Sequence, residues 1–553
     1  MSLATTPDGI VRGTALAAAG AADGTADGRT LHRFLGIPYA ESPARLRRFL
    51  PPVPARPWDG TRDCTVPGAM APQNPDPFLP PSDGCAERWD EDSCLNLNVW
   101  TRGTGGARPV MLWVHGGAYL TGSNNGGLHD GGRLAAALEV VVVAVNYRLG
   151  ALGFLHLPEL LGPEYADSSS SALLDILEAL RWVRRNIAAF GGDPGNVTLF
   201  GESAGAAAVG TLLGMPASEG LFRRAIMQSG TAERVRTTEE SRKITGEFLR
   251  HCGLDPTRAA ELLTLPVARL LAAQEALGKA SAGSTFGVAL PFQPATATPA
   301  IPEPPLAAIR QGLNAGVDLL AGTNLNEGSF AVELRPASPS DPPDLADRVE
   351  LMMAEHSGDP AADRARYAEA LAETVGTAPT GKQLLEAYLS DAQYRQPTTR
   401  LLDARSGSTG RNFSYLFTWK SPAMGGKLGS CHALEIPFVF RQLDSAEAAY
   451  LTCGKAPADL AEWMSAAWSA FAGSGAPVAA GLPPWPEYRD HTGVRARRGV
   501  RATMVLDAGP RVEFDPRGPL REFWASHGTV LPASQKWAFQ PLTSPVRQRK
   551  PTT

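Results

Sequence analysis

The sequence contains no apolar run of about 18 residues, the length that a membrane-spanning helix requires, so no transmembrane helix is expected. It also has no strong charge of either sign, because 52 lysines and arginines oppose 56 aspartates and glutamates and leave a net charge of −4. Proteins that bind nucleic acid through their surface normally carry a basic excess. We therefore expect neither a nucleic-acid partner nor a membrane partner.

Cysteine is scarce, with six residues in 553 and no C-x-x-C pair of the kind that binds metal ions. A bridge between Cys64 and Cys94 would close a proline-rich loop of about 30 residues. A reducing cytoplasm favours free thiols instead, and the sequence leaves this pairing open. The six cysteines are Cys64, Cys85, Cys94, Cys252, Cys431 and Cys453.

No secretory leader is recognisable near the N-terminus. The nearest candidate is the alanine-rich run 15–22, but the residues before it include Asp8 and a single arginine, Arg12. A leader normally begins with several positive charges before its apolar core. A cytoplasmic location is therefore expected.

The pattern of apolar residues predicts an α/β fold. Helical spacing over 172–190 places leucines and isoleucines on one face and arginines on the other, and a Gly-Gly-Asp-Pro stop follows at 191–194. Strands flank this helix and make a βαβ unit, so a mostly parallel sheet flanked by helices is expected. The runs predicted as buried strands are 110–114, 140–145, 197–200, 225–227 and 317–320.

The chain is interpreted as one domain over residues 1–545. Two segments rich in Ala, Leu, Arg and Glu, at about 237–299 and 342–403, are predicted to be large helical insertions that cover the active site at one end of the sheet. The short basic tail 546–553 is expected to be frayed.

The stretch VTLFGESAGAAAVG at 197–210 indicates a nucleophilic serine. A sharp G-x-S-x-G turn between a strand and a helix exposes Ser203, and its flanking glycines avoid collisions with neighbouring backbone. The N–H of Ala204, at the start of the helix, is then available to bind negative charge. The alternative is a glycine-flanked serine in an unrelated turn, but the strand before it and the helix after it favour the nucleophile.

A second glycine-containing turn supplies candidate oxyanion donors. The strand in VMLWVHGG (110–117) ends at Val114, and the N–H groups of Gly116 and Gly117 follow it. Together with Ala204 they would form an oxyanion hole. We assign His115 a structural role, because the base of such a site follows the nucleophile in the chain.

The base and the acid are sought downstream of the serine. His432 lies in LGSCHALEIPFVF after a probable strand at 413–419, whereas the other downstream histidines lie beside charged or turn residues or in a terminal segment. Glu327 follows the strand in VDLLAGTNLNEGSF (317–330) and can orient that imidazole. Alternatively, Glu327 caps a helix that starts near Ser329. The other downstream histidines are His251, His356, His491 and His527.

The sequence resembles the type-B carboxylesterases, the branch of the α/β-hydrolase superfamily that includes bacterial para-nitrobenzyl esterases and cholinesterases. The matching segments include FLGIPYAESP (34–43), WVHGGAYLTGS (113–123), GTNLNEGSF (322–330), HALEIPFVF (432–440) and WPEY (485–488), and they run nearly end to end. In this comparison, residues 9–13 look like the first strand of the family. The resemblance implies an α/β-hydrolase fold with Ser203 as nucleophile, Glu327 as acid, His432 as base, Gly116, Gly117 and Ala204 as oxyanion donors, and Glu202 and Ser229 behind the triad.

The implied activity is hydrolysis of carboxylic esters through an acyl-enzyme, with no metal or cofactor. A neutral or apolar small-molecule ester is expected, because no cluster of Arg or Lys lies in the motif loops, and the protein is expected to be a monomer or a weak homo-oligomer. The same triad could instead act on carbamates, amides or thioesters or transfer an acyl group, and a non-catalytic scaffold or adhesion protein is a minor alternative.

Side chains near the motifs leave two further questions open. Trp113, Tyr119 and Phe154 either line the substrate pocket or pack in the core. Cys431, beside His432, is either a small packed thiol or a site at which thiol reagents inactivate the enzyme.

Overall fold

The computed structural model describes residues 1–17, 30–76, 89–281, 291–334, 344–488 and 501–527. One sheet of thirteen strands runs through this part of the chain. The strands are β1 (Ser2–Thr6), β2 (Gly9–Ala17), β3 (Thr30–Pro38), β4 (Thr61–Asp63), β5 (Asn96–Thr101), β6 (Arg108–Val114), β7 (Val141–Val145), β8 (Gly192–Glu202), β9 (Arg224–Gln228), β10 (Asp318–Asn324), β11 (Asn412–Phe417), β12 (Ala502–Leu506) and β13 (Arg511–Phe514).

Helices lie between most of these strands. They are α1 (Gly132–Ala137), α2 (Gly150–Phe154), α3 (Pro158–Leu161), α4 (Ser171–Asn186), α5 (Ala204–Leu213), α6 (Thr238–Cys252), α7 (Val267–Ser281), α8 (Pro305–Arg310), α9 (Ser329–Glu333), α10 (Leu345–Met353), α11 (Pro360–Val375), α12 (Gly381–Ser390), α13 (Gln396–Ala404), α14 (Ile436–Val439), α15 (Ala446–Thr452), α16 (Ala458–Ser474) and α17 (Gly518–Ser526).

The sheet is parallel in its centre and antiparallel at both edges. Its spatial order is β1-β2-β3-β5-β7-β6-β8-β9-β10-β11-β12-β13, and β4 pairs with β2 off this path. All neighbours from β7 to β12 are parallel, whereas the pairs from β1 to β7 and the β12–β13 pair are antiparallel. Because parallel strands present their carboxyl ends at one edge, the loops after β6, β8, β10 and β11 meet there.

The predicted strands and helix are confirmed. Every residue of β7 and β9 is buried, as expected of strands that are covered by helices on both faces. The helix predicted over 172–190 is α4, followed by a 3₁₀ turn over Ile187–Phe190 that ends at Gly191 with φ of 73°. Its apolar face packs into the main hydrophobic core.

Residues 9–13 lie in a strand as predicted, but this strand, β2, is the second along the chain and not the first. An earlier strand, β1, pairs with β2 in an antiparallel register that sets Thr6 opposite Gly9. Residues of β1 alternate between buried and exposed, which is the pattern of an edge strand with one covered face. Because β1 is only five residues long, its signal is weak in the sequence.

Both segments predicted to be helical contain helices. The first holds α6, a 3₁₀ helix over Pro256–Leu263, and α7. The second holds α10 to α13, with a π-helical turn over Asp391–Arg395, and α10 to α12 pack with α17 around a separate small core. No described helix has the length and apolar character needed to span a membrane.

Cys64 and Cys94 are buried free thiols, so the alternative bridge between them is not formed. Burial raises the pKa of Cys64 to about 11, which makes this thiol unreactive at neutral pH. Cys85, His491 and the tail 546–553 lie outside the described residues.

Candidate active site

Ser203 sits at the turn between β8 and α5 in a strained backbone conformation, with φ of 55° and ψ of −121°. Its N–H donates to the carbonyl oxygen of Gln228 on the next strand, at 2.9 Å. A Cβ on Gly205 would stand 2.1 Å from the carbonyl oxygen of Val114, and one on Gly201 would stand 2.7 Å from the same oxygen. Both glycines are therefore required for β6 to approach this turn, as the G-x-S-x-G pattern predicts.

The candidate oxyanion donors lie beside this serine. Ala204 is the first residue of α5, where a backbone N–H has no partner within the helix. A Cβ on Gly116 would stand 3.2 Å from the Cβ of Ser203, so its backbone runs against the serine side chain. Gly117 adopts φ of 100°, and a Cβ there would meet the carbonyl oxygen of Thr121 at 2.2 Å. Both glycine positions therefore exclude larger residues.

The structure brings the three predicted catalytic side chains together. His432 Nε2 lies 2.8 Å from Ser203 Oγ, and His432 Nδ1 lies 2.7 Å from Glu327 Oε2. These residues are 229 and 105 positions apart in the chain, respectively. Glu327 is carried by the loop after β10, and His432 by the loop after β11.

Three hydrogen bonds fix the Glu327 carboxylate, whose side chain is fully buried. Oε1 accepts from the hydroxyl of Ser229 at 2.5 Å and from the N–H of Asn324 at 2.7 Å, while Oε2 faces His432. A helix does begin at Ser329, but its first turn has no side-chain cap. The alternative interpretation of Glu327 as a helix cap is therefore wrong, and Ser229 lies behind the acid as predicted.

Glu202 lies beside the same imidazole, with Oε1 at 3.1 Å from His432 Nε2. Burial raises the pKa of this carboxyl to about 8, so at neutral pH it holds its proton. Burial alone would lower the pKa of His432, but its neighbours, with the hydrogen-bonded Glu327 among them, more than offset that effect and hold the pKa well above its usual value. The position of Glu327 therefore favours the charged form of the imidazole, the form produced when Ser203 loses its proton.

A second buried acid supports the site, and the sequence analysis missed it. Glu435 accepts hydrogen bonds from the amides of Gln228 at 3.0 Å and Asn324 at 2.6 Å. Gln228 in turn accepts from the indole N–H of Trp468 at 3.1 Å. Burial, with Glu327 nearby, raises the pKa of Glu435. The sequence does contain a signal for Glu435, because it lies three residues after His432 in an apolar stretch, where an ionisable residue needs hydrogen-bond partners.

The other candidate histidines that the structure describes lie outside this arrangement. His115 is buried and stacks on Tyr147 with ring centres 4.4 Å apart, and burial lowers its pKa to about 4, which agrees with a structural role. His251 and His356 are exposed, and His527 contacts Asp363 at 2.9 Å.

Of the aromatic residues that were left open, Trp113 packs in the core against Phe200 and Phe440, each at 4.9 Å between ring centres. Tyr119 packs on Phe154 at 4.7 Å. Within the described ranges, no group of three or more His, Cys, Asp or Glu could hold a metal ion.

Comparisons with known proteins agree with this chemistry. A family model described as the carboxylesterase family matches residues 2–501. The chain is 35% identical over 498 residues to a para-nitrobenzyl esterase of Bacillus subtilis, covering 89% of this chain and 94% of that protein. It is also 35% identical to a phenmedipham hydrolase of Pseudarthrobacter oxydans, covering 83% and 90%. A crystal structure of a Geobacillus stearothermophilus carboxylesterase superposes with a TM-score of 0.78 at 32% identity, covering 95% of this chain and all of that one.

Proposed function

The chain belongs to the carboxylesterase family and is a carboxylic ester hydrolase with the α/β-hydrolase fold, and we propose that it cleaves small-molecule esters in two steps through Ser203. One observation carries this proposal: Glu327, His432 and Ser203 form a continuous chain of contacts of 2.7 and 2.8 Å. In a serine hydrolase the acid must contact the base, and the base must contact the nucleophile.

In the first step, His432 Nε2 takes the proton of the Ser203 hydroxyl while its oxygen attacks the ester carbonyl carbon. The negative charge that forms on the carbonyl oxygen is stabilised by the N–H groups of Gly116, Gly117 and Ala204. The imidazolium is stabilised by Glu327 and then gives its proton to the leaving alcohol.

In the second step, water replaces the alcohol. His432 takes a proton from the water, the hydroxide attacks the acyl-serine, and the carboxylic acid leaves as Ser203 regains its proton. Glu202, protonated at neutral pH, lies on the same side of the imidazole. It is available to donate a hydrogen bond without adding a second negative charge.

Another leaving group on the same triad is the second candidate. A relative that is 35% identical over most of both chains is named a phenmedipham hydrolase. This supports including phenmedipham in the substrate panel. A kcat/KM for phenmedipham above that for every simple ester would make it the better description of the substrate class.

The test is release of p-nitrophenol from acetate, butyrate, octanoate and laurate esters by the wild type and by Ser203→Ala. We expect turnover by the wild type and a loss of about 10⁶-fold in kcat for the variant, while Ser474→Ala, at an exposed serine in the last turn of α16, retains activity. The dependence of kcat/KM on the length of the acyl chain then measures the size of the acyl pocket.

Labelling with a fluorophosphonate separates the two ways in which this proposal can fail. Labelling of Ser203 without turnover of any ester would mean that the nucleophile is active on another substrate. No labelling and no turnover would show that the triad assignment is wrong.

A further inference from the structure

Among the residues that the structure describes, one buried arginine near the triad has no partner of opposite charge. Arg234 is only 6% exposed, and in the part of the chain that the structure describes its side chain makes no hydrogen bond or ion pair. Its guanidinium lies near an aromatic ring, with the guanidinium carbon 5.8 Å from the ring centre of Tyr394. A buried charge without a partner is costly, so a site of this kind requires an explanation.

The acidic residue next to it in the chain does not neutralise this charge. Both carboxylate oxygens of Glu233 are taken by Arg400, which donates to them from Nε and Nη2 at 2.6 to 3.1 Å. Arg395, in the same helical region, is paired with Asp391. Among the described residues, Arg400 and Arg395 therefore each have an acidic partner, and Arg234 has none.

The guanidinium lies close to the reacting groups. The ring of Tyr394 contacts both groups: its centre is 5.8 Å from the guanidinium carbon of Arg234 and 4.7 Å from the ring centre of His432. The charge of Arg234 also reaches Glu202 and Tyr119, where it opposes the rise in pKa that burial produces. Arg234 is thus buried within electrostatic reach of Glu202, which contacts His432.

A second unpartnered donor lies near it. The hydroxyl of Tyr119 is fully buried and has no hydrogen-bond partner among the described residues. Tyr119 follows the oxyanion loop directly, two residues after Gly117. Among the described residues, the guanidinium of Arg234 and the hydroxyl of Tyr119 therefore both lack an acceptor.

We propose that Arg234 binds a free carboxylate carried by the ester substrate, so that the preferred substrates are esters with a second, ionised carboxyl group. This inference rests on the proposed function. A guanidinium fork matches a planar, singly charged carboxylate in shape and charge and can bind it through two parallel hydrogen bonds. Glu202, which holds its proton at neutral pH, does not compete for that charge.

This inference replaces the expectation of neutral or apolar esters. That expectation depended on the absence of Arg and Lys clusters from the motif loops. Arg234 lies four residues after the end of AIMQSG (225–230), outside every motif.

The experiment compares matched substrates that differ only in charge. On the acyl side, p-nitrophenyl hydrogen adipate is paired with p-nitrophenyl 6-oxoheptanoate, in which a methyl ketone replaces the carboxylate. On the alcohol side, 3-carboxyphenyl acetate is paired with 3-acetylphenyl acetate. The ratio of kcat/KM for the charged ester to that for its neutral partner is measured for wild type and Arg234→Gln.

We expect Arg234→Gln to lower this ratio by about 10- to 100-fold in at least one pair, since the lost interaction is a charge-assisted hydrogen bond. The pair that responds identifies the side of the ester that carries the carboxylate. Arg234→Lys should retain part of the preference. Arg184→Gln, at an exposed arginine of α4, should leave the ratio unchanged and so controls for net charge.

Two results would overturn the inference. A ratio that Arg234→Gln leaves unchanged in both pairs would show that the arginine does not recognise charge, and an equal fall in both members of a pair would show that it only positions Tyr394 and His432. Failure of the proposed function looks different, because the wild type would then release no p-nitrophenol from either acyl-side ester.

Discussion

The substitution Glu327→Gln tests how the acid controls the proton positions of the triad. The glutamine has the same shape, but it must keep an acceptor where Oε1 now receives hydrogen bonds from the Ser229 hydroxyl and the Asn324 N–H. Its amide oxygen therefore takes that place, and its NH₂ group takes the place of Oε2, 2.7 Å from His432 Nδ1. An NH₂ group there donates to Nδ1, which forces the imidazole proton onto Nε2.

An imidazole with its proton on Nε2 cannot accept the proton of Ser203. We therefore expect kcat for p-nitrophenyl acetate to fall by about 10⁴-fold, the size of loss that the wrong tautomer produces in a serine hydrolase, or about 5.4 kcal/mol of transition-state stabilisation. Fluorophosphonate labelling of Ser203 should slow in parallel, since it uses the same base.

The thermal unfolding midpoint of Glu327→Gln shows whether the variant remains folded. Glu373→Gln, at an exposed glutamate of α11, should behave like the wild type and controls for loss of one charge. A folded Glu327→Gln variant that loses less than about tenfold in kcat would refute this account, because Glu327 would then not determine the tautomer of His432.

Three further predictions follow from the geometry. Activity requires neutral His432, whose pKa is raised above 6.5, so kcat/KM should fall as pH drops through that raised pKa, and a pH profile with no such acid limb would contradict the role of His432 as the base. Gly205→Ala should lower the free energy of unfolding by at least about 1–3 kcal/mol, because the new Cβ would lie 2.1 Å from backbone. Gly246→Ala, in α6 with no atom in the way, should instead raise it by about 0.5–1 kcal/mol. Urea denaturation measures both changes. Cys431 is fully buried, and burial raises its pKa, so treating the native protein with a maleimide should label the exposed Cys453 without loss of activity; inactivation coupled to labelling of Cys431 would restore the thiol-sensitivity hypothesis.

The contacts of the triad could be predicted from the sequence because each residue follows a strand with a strong local pattern. Ser203 and Glu327 come shortly after apolar runs that predict strands, and His432 lies in the loop after a probable strand. The carboxyl ends of parallel strands meet at one edge. The glycines of the G-x-S-x-G motif indicated that two backbone segments lie close together, as β6 and the nucleophile turn do. At these positions the local sequence pattern was therefore enough to predict where the side chains lie in the sheet.

The supporting groups could not be predicted in the same way, because their roles depend on contacts between distant segments. Arg234 lies in TAERVRTTEES (231–241), a charged and polar stretch typical of a solvated surface, yet Tyr394 and neighbouring residues bury it. Glu435 forms its hydrogen bonds with residues 111 and 207 positions away. The five-residue strand β1 was missed because a strand that short carries little periodicity.

The wide sequence separation of the triad has a consequence for the biogenesis of the enzyme. The three residues are joined only after β8, β9, β10 and β11 have paired in that order, and 229 positions separate the serine from the histidine. No nascent chain that ends before residue 432 can acylate a substrate, even if its nucleophile turn is already formed. Pairing between distant strands is slow during refolding, so recovery of esterase turnover should lag behind recovery of the helical circular dichroism signal. The time at which turnover returns then measures when β8 to β11 have paired.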